Sequence, residues 1–278
     1  MSMRKIRTKR PQVEATQAAL LCLPPVARAS RWMRAASPST PRVIARAWCL
    51  RRDSRRSSSG IQRRLLSDPE LLLAEAYSGL PDGFEIGKSD RDRVHAAHGS
   101  SAAGGSFGAA TYGEVRPQGV AMLVEALQLN SADSTFYDLG SGRGAAVLQV
   151  ALRSDVGPRR AVGVELSHER HAVAAQAFER LAALAPNVRS RAAFICADLA
   201  TADWHREATA VLCTNLLFGN ALNHLLQAQL ARCDTLRRVV TLRPVAEQAA
   251  RLRLVGLLKL PVTWASHCRA YVYERNRK

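Results

Sequence analysis

The chain has 278 residues, of which 47% are hydrophobic, so it is long enough to bury one substantial core with an extension attached. Its net charge of +17 is unevenly placed, because residues 1–66 hold 16 of the 40 Lys and Arg residues but only 2 of the 23 acidic ones. Six scattered cysteines without a C-x-x-C pair argue against a disulfide framework and a structural zinc site, and favour a reducing compartment. No metal site is predicted.

The N-terminal region, residues 1–66, is rich in Arg, Ser, Ala and Pro. This composition is typical of a mitochondrial or plastid transit peptide, of a disordered basic tail, or of an arm that meets nucleic-acid phosphates. The sequence does not decide between these three. The longest apolar stretch of the region, residues 18–27, is short and contains Pro24-Pro25, so we expect no membrane span.

Residues 67–110 predict a helical lead-in followed by a flexible loop. The helix begins at a capping Ser67 or Asp68, with Pro69 and Glu70 in its first turn. An apolar face follows at helical spacing: Leu71, Leu72, Ala74, Tyr77 and Leu80. The stretch 99–110 is rich in Gly, Ala and Ser, as loops are.

Two pairs of histidines are three residues apart, so each pair could share a helix face: His95 with His98, and His168 with His171. No third ligand is close in sequence to either pair. We therefore interpret these histidines as solvated surface residues rather than metal ligands.

From residue 111 onward, strands alternate with helix-length segments. The predicted helices are 117–129, 145–152, 169–184 and 221–231, and the predicted strands are 135–137, 161–165, 193–196, 210–213, 238–242, 254–260 and 270–273. This alternation predicts an α/β fold with a mostly parallel sheet and helices on both faces. The last two strands are close enough in sequence to pair as a hairpin-like end of the sheet. The domain predicted to carry this fold spans 111–278.

A glycine-rich loop follows the first strand, with the sequence Asp138-Leu139-Gly140-Ser141-Gly142-Arg143-Gly144, and a helix begins after it. Its glycines allow the backbone to approach a ligand at the helix N-terminus and at the carboxyl edge of the sheet. Taken alone, the pattern also satisfies a relaxed dinucleotide fingerprint, so a nicotinamide-dependent oxidoreductase is an alternative.

Acidic residues end three successive strands: Asp138, Glu165 and Asp198. Asp138 would repel a pyrophosphate but attract the methionine ammonium of S-adenosylmethionine. Glu165 can accept both ribose hydroxyls, which suits NAD equally well. Asp198 lies where such domains usually contact the adenine amino group. The three acids together favour S-adenosylmethionine as the cofactor.

Four sequence blocks, in this order, resemble the disruptor-of-telomeric-silencing family, whose members are non-SET methyltransferases acting on a lysine in the globular part of histone H3. The resemblance covers about residues 111–274 and implies a class I S-adenosylmethionine-dependent methyltransferase fold, Rossmann-like with an antiparallel C-terminal strand. The blocks are Thr111-Tyr112-Gly113-Glu114, Asp138 to Gly144 with residues 147–151, Asn215-Leu216-Leu217-Phe218-Gly219, and Val262-Thr263-Trp264 with Tyr271.

The resemblance also implies roles for individual residues. Residues 112–115 would fold over the methionine end of the cofactor: Tyr112, Gly113, Glu114 and Val115. Residues 136–145 would form the main cofactor loop: Phe136, Asp138, Gly140, Gly142, Gly144 and Ala145. Glu165 would bind the ribose, and Asp198 and Leu199 would lie at the adenine. Three aromatic residues would line a narrow apolar channel for the lysine side chain: Phe218, Trp264 and Tyr271. Such a channel favours the neutral amine, because it lowers the pKa of the ammonium by desolvation.

One position departs from the family pattern. Members directed at histone usually carry Asn-Asn where this chain has Thr214-Asn215, so Thr214 stands at the catalytic-site Asn. A threonine hydroxyl can accept a hydrogen bond from an amine, but it reaches less far than an amide and offers one group instead of two. Asn215 is the other candidate for this contact.

These features predict an S-adenosylmethionine-dependent protein-lysine N-methyltransferase of the histone H3-directed type. The expected partner is then the nucleosome, the expected location is the nucleus, and any DNA contact falls mainly to the basic tail. Two alternatives stay open. One is an organellar methyltransferase that acts on a non-histone protein and is imported by residues 1–66. The other is a non-catalytic module that binds only cofactor or partner.

Overall fold

The computed structural model describes residues 68–98, 110–129, 133–153 and 157–276. The predicted basic tail, 1–66, lies outside the described residues, as does the predicted flexible loop 99–110 apart from Ala110. Among the helices of the described ranges, none combines the length and the apolar character needed to cross a bilayer.

Helices and strands alternate along the described chain. The α-helices are α1 Pro69–Ala76, α2 Lys88–His98, α3 Pro117–Ala126, α4 Ala145–Leu152, α5 His168–Leu184, α6 Asn220–Arg232 and α7 Glu247–Ala250. The strands are β1 Thr135–Leu139, β2 Arg160–Glu165, β3 Ala192–Cys196, β4 Ala210–Cys213, β5 Arg238–Thr241, β6 Leu252–Leu260 and β7 Cys268–Arg275. Three single 3-10 turns cover Pro186–Ser190, Asp203–Arg206 and Asn215–Leu217.

The seven strands form one sheet in the order β3-β2-β1-β4-β5-β7-β6. Strands β1 to β5 run parallel, whereas β7 lies antiparallel between β5 and β6. The strand order reverses between β1 and β4, where crossovers leave a crevice at the carboxyl edge of the sheet. The predicted fold class, α/β and Rossmann-like with antiparallel C-terminal strands, is confirmed.

Some predicted boundaries shift by a few residues. The first helix ends at Ala76, and a turn with Gly79 at φ +72° follows instead of a further helical turn. Helix α3 stops at Ala126, and Gln128 adopts a φ of +53° two residues later. Strand β1 continues through Leu139, so Asp138 lies within the strand rather than after it.

Helix α2 was not predicted, because its sequence is polar and buries only Asp90 and Val94. Tertiary contacts hold it in place. The Asp90 carboxylate accepts hydrogen bonds from the Ser167 hydroxyl and from the backbone N–H groups of His168 and Glu169, so it caps the N-terminus of α5. Burial raises the pKa of Asp90, but these bonds and two from Arg93 outweigh burial and hold the pKa at about 2.

Two apolar clusters pack on opposite faces of the sheet, because neighbouring strand residues point to opposite sides. Phe136 and Leu212 belong to the first cluster, which α1, α3, α4 and α5 cover. Tyr137 and Cys213 belong to the second, which α6 and α7 cover. The carboxyl ends of β1 and β4 are thus held rigidly between two packed layers.

Candidate functional site

A cleft opens at the carboxyl ends of β1 and β4, where the strand order reverses. Residues 112–115, here called the entry segment, line it together with the glycine loop, the start of α4 and the end of β4. The lining residues are Tyr112, Gly113, Glu114, Val115, Asp138, Gly140, Ser141, Ala145, Ala146, Leu212 and Thr214. Eight of these were predicted as site residues. Sequence analysis assigned no role to Ser141, Ala146 and Leu212.

The glycine loop turns sharply from β1 into α4. Gly140, Gly142 and Gly144 all have positive φ, at +82°, +57° and +81°. At Gly144 a side chain is also excluded by space, because an added Cβ would lie 2.3 Å from Cε1 of Phe194. The loop is held to the neighbouring strand by hydrogen bonds from the Gly140 and Ser141 N–H groups to the Val164 carbonyl. The glycine loop is therefore fixed against β2 where it enters α4.

Asp138 is 4% exposed, and its Oδ1 has no hydrogen-bond partner among the described residues. Desolvation raises the pKa of this carboxyl to about 7, and the nearby Glu165 and Glu114 add to the effect. The Ser141 hydroxyl is likewise buried without a partner in the described chain. A buried carboxylate with an open acceptor atom fits a cationic group placed in the cleft.

Glu165 ends β2 and is buried with its carboxylate turned toward the glycine loop. Its Oε2 accepts the Gly142 N–H at 2.8 Å, and its Oε1 accepts the Ser167 N–H at 2.7 Å. Burial raises the pKa of Glu165 despite these bonds. Each oxygen has accepted one hydrogen bond and retains a lone pair for a hydroxyl donor.

The entry segment is locked by an ion pair. Arg143, inside the glycine loop, donates to both carboxylate oxygens of Glu114, at 2.9 and 3.0 Å. The Tyr112 hydroxyl donates to Glu114 at 2.6 Å and accepts the Arg143 N–H at 3.3 Å. The Tyr77 hydroxyl of the lead-in then donates to the Arg143 carbonyl. Entry segment, loop and lead-in thus form one connected wall.

The ring of Tyr112 packs directly on Gly142, where an added Cβ would lie 2.2 Å from Cε2 of that ring. The interpretation that Gly142 leaves room for the cofactor itself is thereby corrected, since the room beside Gly142 is occupied by Tyr112. Arg170 stacks over this ring at 4.6 Å from its centroid. Gly142 therefore permits close packing of the entry segment.

Asp198 lies two residues beyond β3 and pairs with a histidine. Its Oδ1 lies 2.9 Å from Nε2 of His98 and also accepts the Ala200 N–H at 2.8 Å. Burial raises the pKa of Asp198, but these contacts outweigh burial and lower it. His98 is 8% exposed, so its interpretation as a surface histidine is wrong. Leu199, predicted beside the adenine, packs into the second apolar cluster.

Phe136 was predicted in the main cofactor loop, but its side chain is 1% exposed within the first apolar cluster. It lies near the start of β1, two residues before Asp138, and its ring points into the core. We therefore correct its role from ligand contact to support of the strand.

The predicted acceptor residues do not all reach the cleft. Thr214 lines it, whereas the Asn215 amide is fully buried and turned away. The Asn215 Oδ1 accepts the N–H groups of Leu242 and Arg243, both at 2.9 Å, and its Nδ2 donates to Asn223. Asn215 thus has no group directed at an acceptor amine.

The three predicted channel aromatics lie around the cleft rather than in its lining. Phe218 approaches Gly140, whose added Cβ would lie 3.8 Å from the tip of the ring. Trp264 approaches Gly113, where an added Cβ would lie 2.3 Å from Cε3 of the indole ring. Trp264 packs against the first apolar cluster, and Phe218 and Tyr271 pack against the second. A common channel formed by the three stays a prediction.

Several residues that shape the site were missed by sequence analysis: Tyr77, Asp90, His98, Arg143 and Arg170. Arg143 lies between two loop glycines, and the others lie in segments without a recognised motif. Their charge and aromatic character were visible, but only the folded chain brings them together. In the described part of the chain, no group of three or more His, Cys, Asp or Glu residues could hold a metal ion.

The family described as histone methylation protein DOT1 matches residues 100–257, which is more than half of the chain. This range contains the entry segment, the glycine loop, the three acidic residues and the turn with Thr214. The recognition made from the four sequence blocks is confirmed. No curated protein matches the chain.

Solved structures that resemble the chain include methyltransferases of several kinds. A geranyl diphosphate C-methyltransferase from Streptomyces coelicolor A3(2), in complex with Mg2+, geranyl-S-thiolodiphosphate and S-adenosyl-L-homocysteine, is 16% identical over 56% of this chain and 75% of that one, with a TM-score of 0.43. An S-adenosylmethionine-dependent methyltransferase from Clostridium acetobutylicum ATCC 824 is 10% identical over 59% and 94%, with a TM-score of 0.41.

Proposed function

Because the chain belongs to the family of histone methylation protein DOT1 and is an S-adenosylmethionine-dependent methyltransferase, we propose that it methylates a lysine side chain of histone H3. One observation carries the proposal beyond the family match. Asp138, which suits the ammonium of the cofactor, and Thr214, which stands at the family's acceptor-side Asn, line the same cleft. Cofactor and acceptor can therefore meet there.

Acidic side chains at the strand ends would hold the polar groups of the cofactor. The open Oδ1 of Asp138 would accept the methionine ammonium. Glu165 would accept the ribose hydroxyls with its remaining lone pairs, and Asp198 would accept the adenine amino group. Tyr112 and Glu114, fixed by Arg143, would close over the methionine end.

When bound, the cofactor supplies an electrophilic methyl group on a cationic sulfur. The chain's own residues would prepare the acceptor. Thr214 Oγ1 would accept one hydrogen bond from the lysine amine, which leaves the nitrogen lone pair directed at the methyl carbon. In the predicted channel beside Phe218, desolvation would disfavour the ammonium form, and its proton would leave to water before transfer.

The charge distribution suits a nucleosomal substrate. Residues 67–278 hold 24 basic and 21 acidic residues, so this part of the chain is nearly neutral. We propose that residues 1–66, with 16 basic and 2 acidic residues, contact nucleosomal DNA and bring the cleft to the histone in the nucleus. The affinity for nucleosomes should then fall steeply as salt concentration rises.

The proposal is tested by methyl transfer from labelled S-adenosylmethionine. Full-length protein is incubated in parallel with recombinant nucleosomes and with an organellar extract, and labelled proteins are identified by mass spectrometry. Asp138→Asn serves as the matched variant with impaired cofactor binding. We expect label on histone H3 that depends on Asp138. Label confined to a protein of the extract would replace the histone assignment with the organellar alternative, and bound cofactor without transfer to either would favour a non-catalytic module.

A further inference from the structure

A network of hydrogen-bonded polar side chains holds the turn of residues 214–219, which follows β4 and carries Thr214. At its centre is Asn215, whose side chain is fully buried. Its Oδ1 accepts two backbone N–H groups at the end of β5, and its Nδ2 donates to Oδ1 of Asn223 at 2.8 Å. Asn223 lies in the first turn of α6 and is itself 8% exposed. The turn is therefore tied to both β5 and α6.

The network closes on one backbone carbonyl, that of Phe218. Nδ2 of Asn223 donates to it at 3.0 Å and also reaches the Gly219 carbonyl at 3.1 Å. The Arg243 guanidinium donates to the same Phe218 carbonyl from the other side. A carbonyl that receives two side-chain donors, one of them charged, is fixed more firmly than an ordinary loop carbonyl.

Phe218 is a residue whose position matters for transfer. Its ring tip approaches Gly140 of the glycine loop, and its turn carries Thr214 in the lining of the cleft. The turn thus spans the junction between the cofactor side and the acceptor side. A small shift of the turn would move Thr214 and Phe218 together relative to the glycine loop, and transfer rates fall steeply with such shifts.

We propose that Asn223 and Arg243, acting with Asn215, are positioning residues that hold Phe218 and Thr214 against the glycine loop for methyl transfer. None of the three touches the reacting atoms in this assignment. The inference rests on the proposed function for its kinetic readout, but not for its structural one. It also gives Asn215 a role other than direct contact with the acceptor amine.

The test uses the full-length chain with two substitutions that remove hydrogen-bond donors of the network, one conservative substitution and one matched control. Asn223→Leu keeps the approximate volume but removes both of its hydrogen-bonding groups, and Arg243→Met removes the guanidinium at a half-buried position. Arg243→Lys retains one cationic donor toward the Phe218 carbonyl. The control is Gln227→Leu, one turn further along α6, since that amide bonds to the Asn223 carbonyl and the Ala246 N–H and not to the turn.

We would measure kcat, the Kd for S-adenosylmethionine and amide hydrogen exchange at a temperature well below that of unfolding. We expect Asn223→Leu and Arg243→Met to lower kcat on nucleosomes by about tenfold or more, with the Kd for S-adenosylmethionine unchanged, and Arg243→Lys to retain most of the activity. Amide hydrogen exchange of residues 214–219 should accelerate in Asn223→Leu and Arg243→Met but not in Gln227→Leu. Exchange in this segment is independent of the acceptor.

Loss of cofactor affinity in parallel with kcat, or accelerated exchange throughout the chain, would reduce the network to a general stabilising role and overturn the proposal. If Asn223→Leu and Arg243→Met both leave kcat and the amide exchange of residues 214–219 unchanged, the proposal is overturned as well. If wild-type protein fails to label nucleosomes, the proposed histone function fails. The exchange of residues 214–219 then still decides whether Asn223 and Arg243 hold the turn.

Discussion

The buried carboxyl of Asp138 should make cofactor binding depend on pH in a way that one substitution removes. The ammonium of S-adenosylmethionine requires the ionised carboxylate, and desolvation raises the pKa of Asp138 from 3.8 to about 7. At pH 6 about nine-tenths of the free protein therefore carries a protonated Asp138, which weakens binding about tenfold relative to the ionised form. Binding near pH 6.5 should also release a proton to the buffer.

Asp138→Asn keeps the shape of the side chain but cannot carry the charge. Loss of a charge-assisted hydrogen bond costs about 1.5–3 kcal/mol, so the Kd at pH 7.5 should rise about 10- to 150-fold. The variant should show no dependence on pH between 6 and 7.5, a range that lies below the titration of the cofactor's own amino group near pH 8. Isothermal titration calorimetry in buffers of different ionisation enthalpy measures both the Kd and the proton release.

Asp203→Asn is the control, because Asp203 is an exposed acid that pairs with Arg206 across one helical turn. It should leave the Kd and its pH dependence as in the wild type. A wild-type Kd that is constant from pH 6 to 7.5 would refute the reasoning. A slope that persists in Asp138→Asn would assign the titration to another group, of which Glu165 is the nearest by burial and position.

The Asp138 carboxyl also affects the stability of the cofactor-free protein. Its ionisation at higher pH favours cofactor binding but lowers the free energy of unfolding. A folded-state pKa raised above the unfolded value stabilises the fold below about pH 4, and this contribution is lost as pH rises through 7. The difference between 3.8 and 7 corresponds to at most about 4 kcal/mol. At pH 8 the cofactor-free Asp138→Asn variant should therefore have a higher Tm than wild type, although it binds the cofactor less well.

Three further substitutions test other parts of the account. Gly144→Ala should lower the free energy of unfolding by about 1–3 kcal/mol, because φ is +81° and the new Cβ would meet Phe194; an unchanged denaturation midpoint would contradict the geometry. Asp90→Asn should cost about 2 kcal/mol at pH 7, since a pKa held at about 2 stabilises the fold above pH 4, and the difference from wild type should vanish as pH falls toward 2. Thr214→Asn should raise kcat on nucleosomes by about threefold to tenfold without changing the cofactor Kd, because an amide reaches further than a hydroxyl; a lower kcat would show that the threonine suits its acceptor better.

The elements with strong local signals could be predicted from the sequence. Strand β4 was predicted with its observed bounds, and the three acids at the strand ends were all placed at the carboxyl edge of the sheet. Parallel strands bring their carboxyl ends to one edge whatever the details of packing, so this part of the site follows from topology. The position of the glycine loop could be predicted for the same reason, because the loop follows β1 at that edge.

Contacts between distant segments could not be predicted. Helix α2 has a polar sequence, and only its docking through Asp90 onto the start of α5 explains why it forms. The burial of His98 against Asp198 depends on that docking. Asn215 looked like a site residue because of its neighbours in sequence, but its amide serves the backbone of β5 and α6. Side-chain direction at a turn is set by packing that sequence spacing does not record.

The proposal to be tested is that this cleft transfers a methyl group to a lysine nitrogen of histone H3. Its most direct test is a single-turnover reaction of full-length protein and labelled S-adenosylmethionine with recombinant nucleosomes, followed by tandem mass spectrometry of the labelled peptide. We expect a methyl group on a lysine side chain of the globular part of H3, and we expect the Asp138→Asn variant to lack it. Label on DNA, on a residue other than lysine, or on no component despite bound cofactor would contradict it.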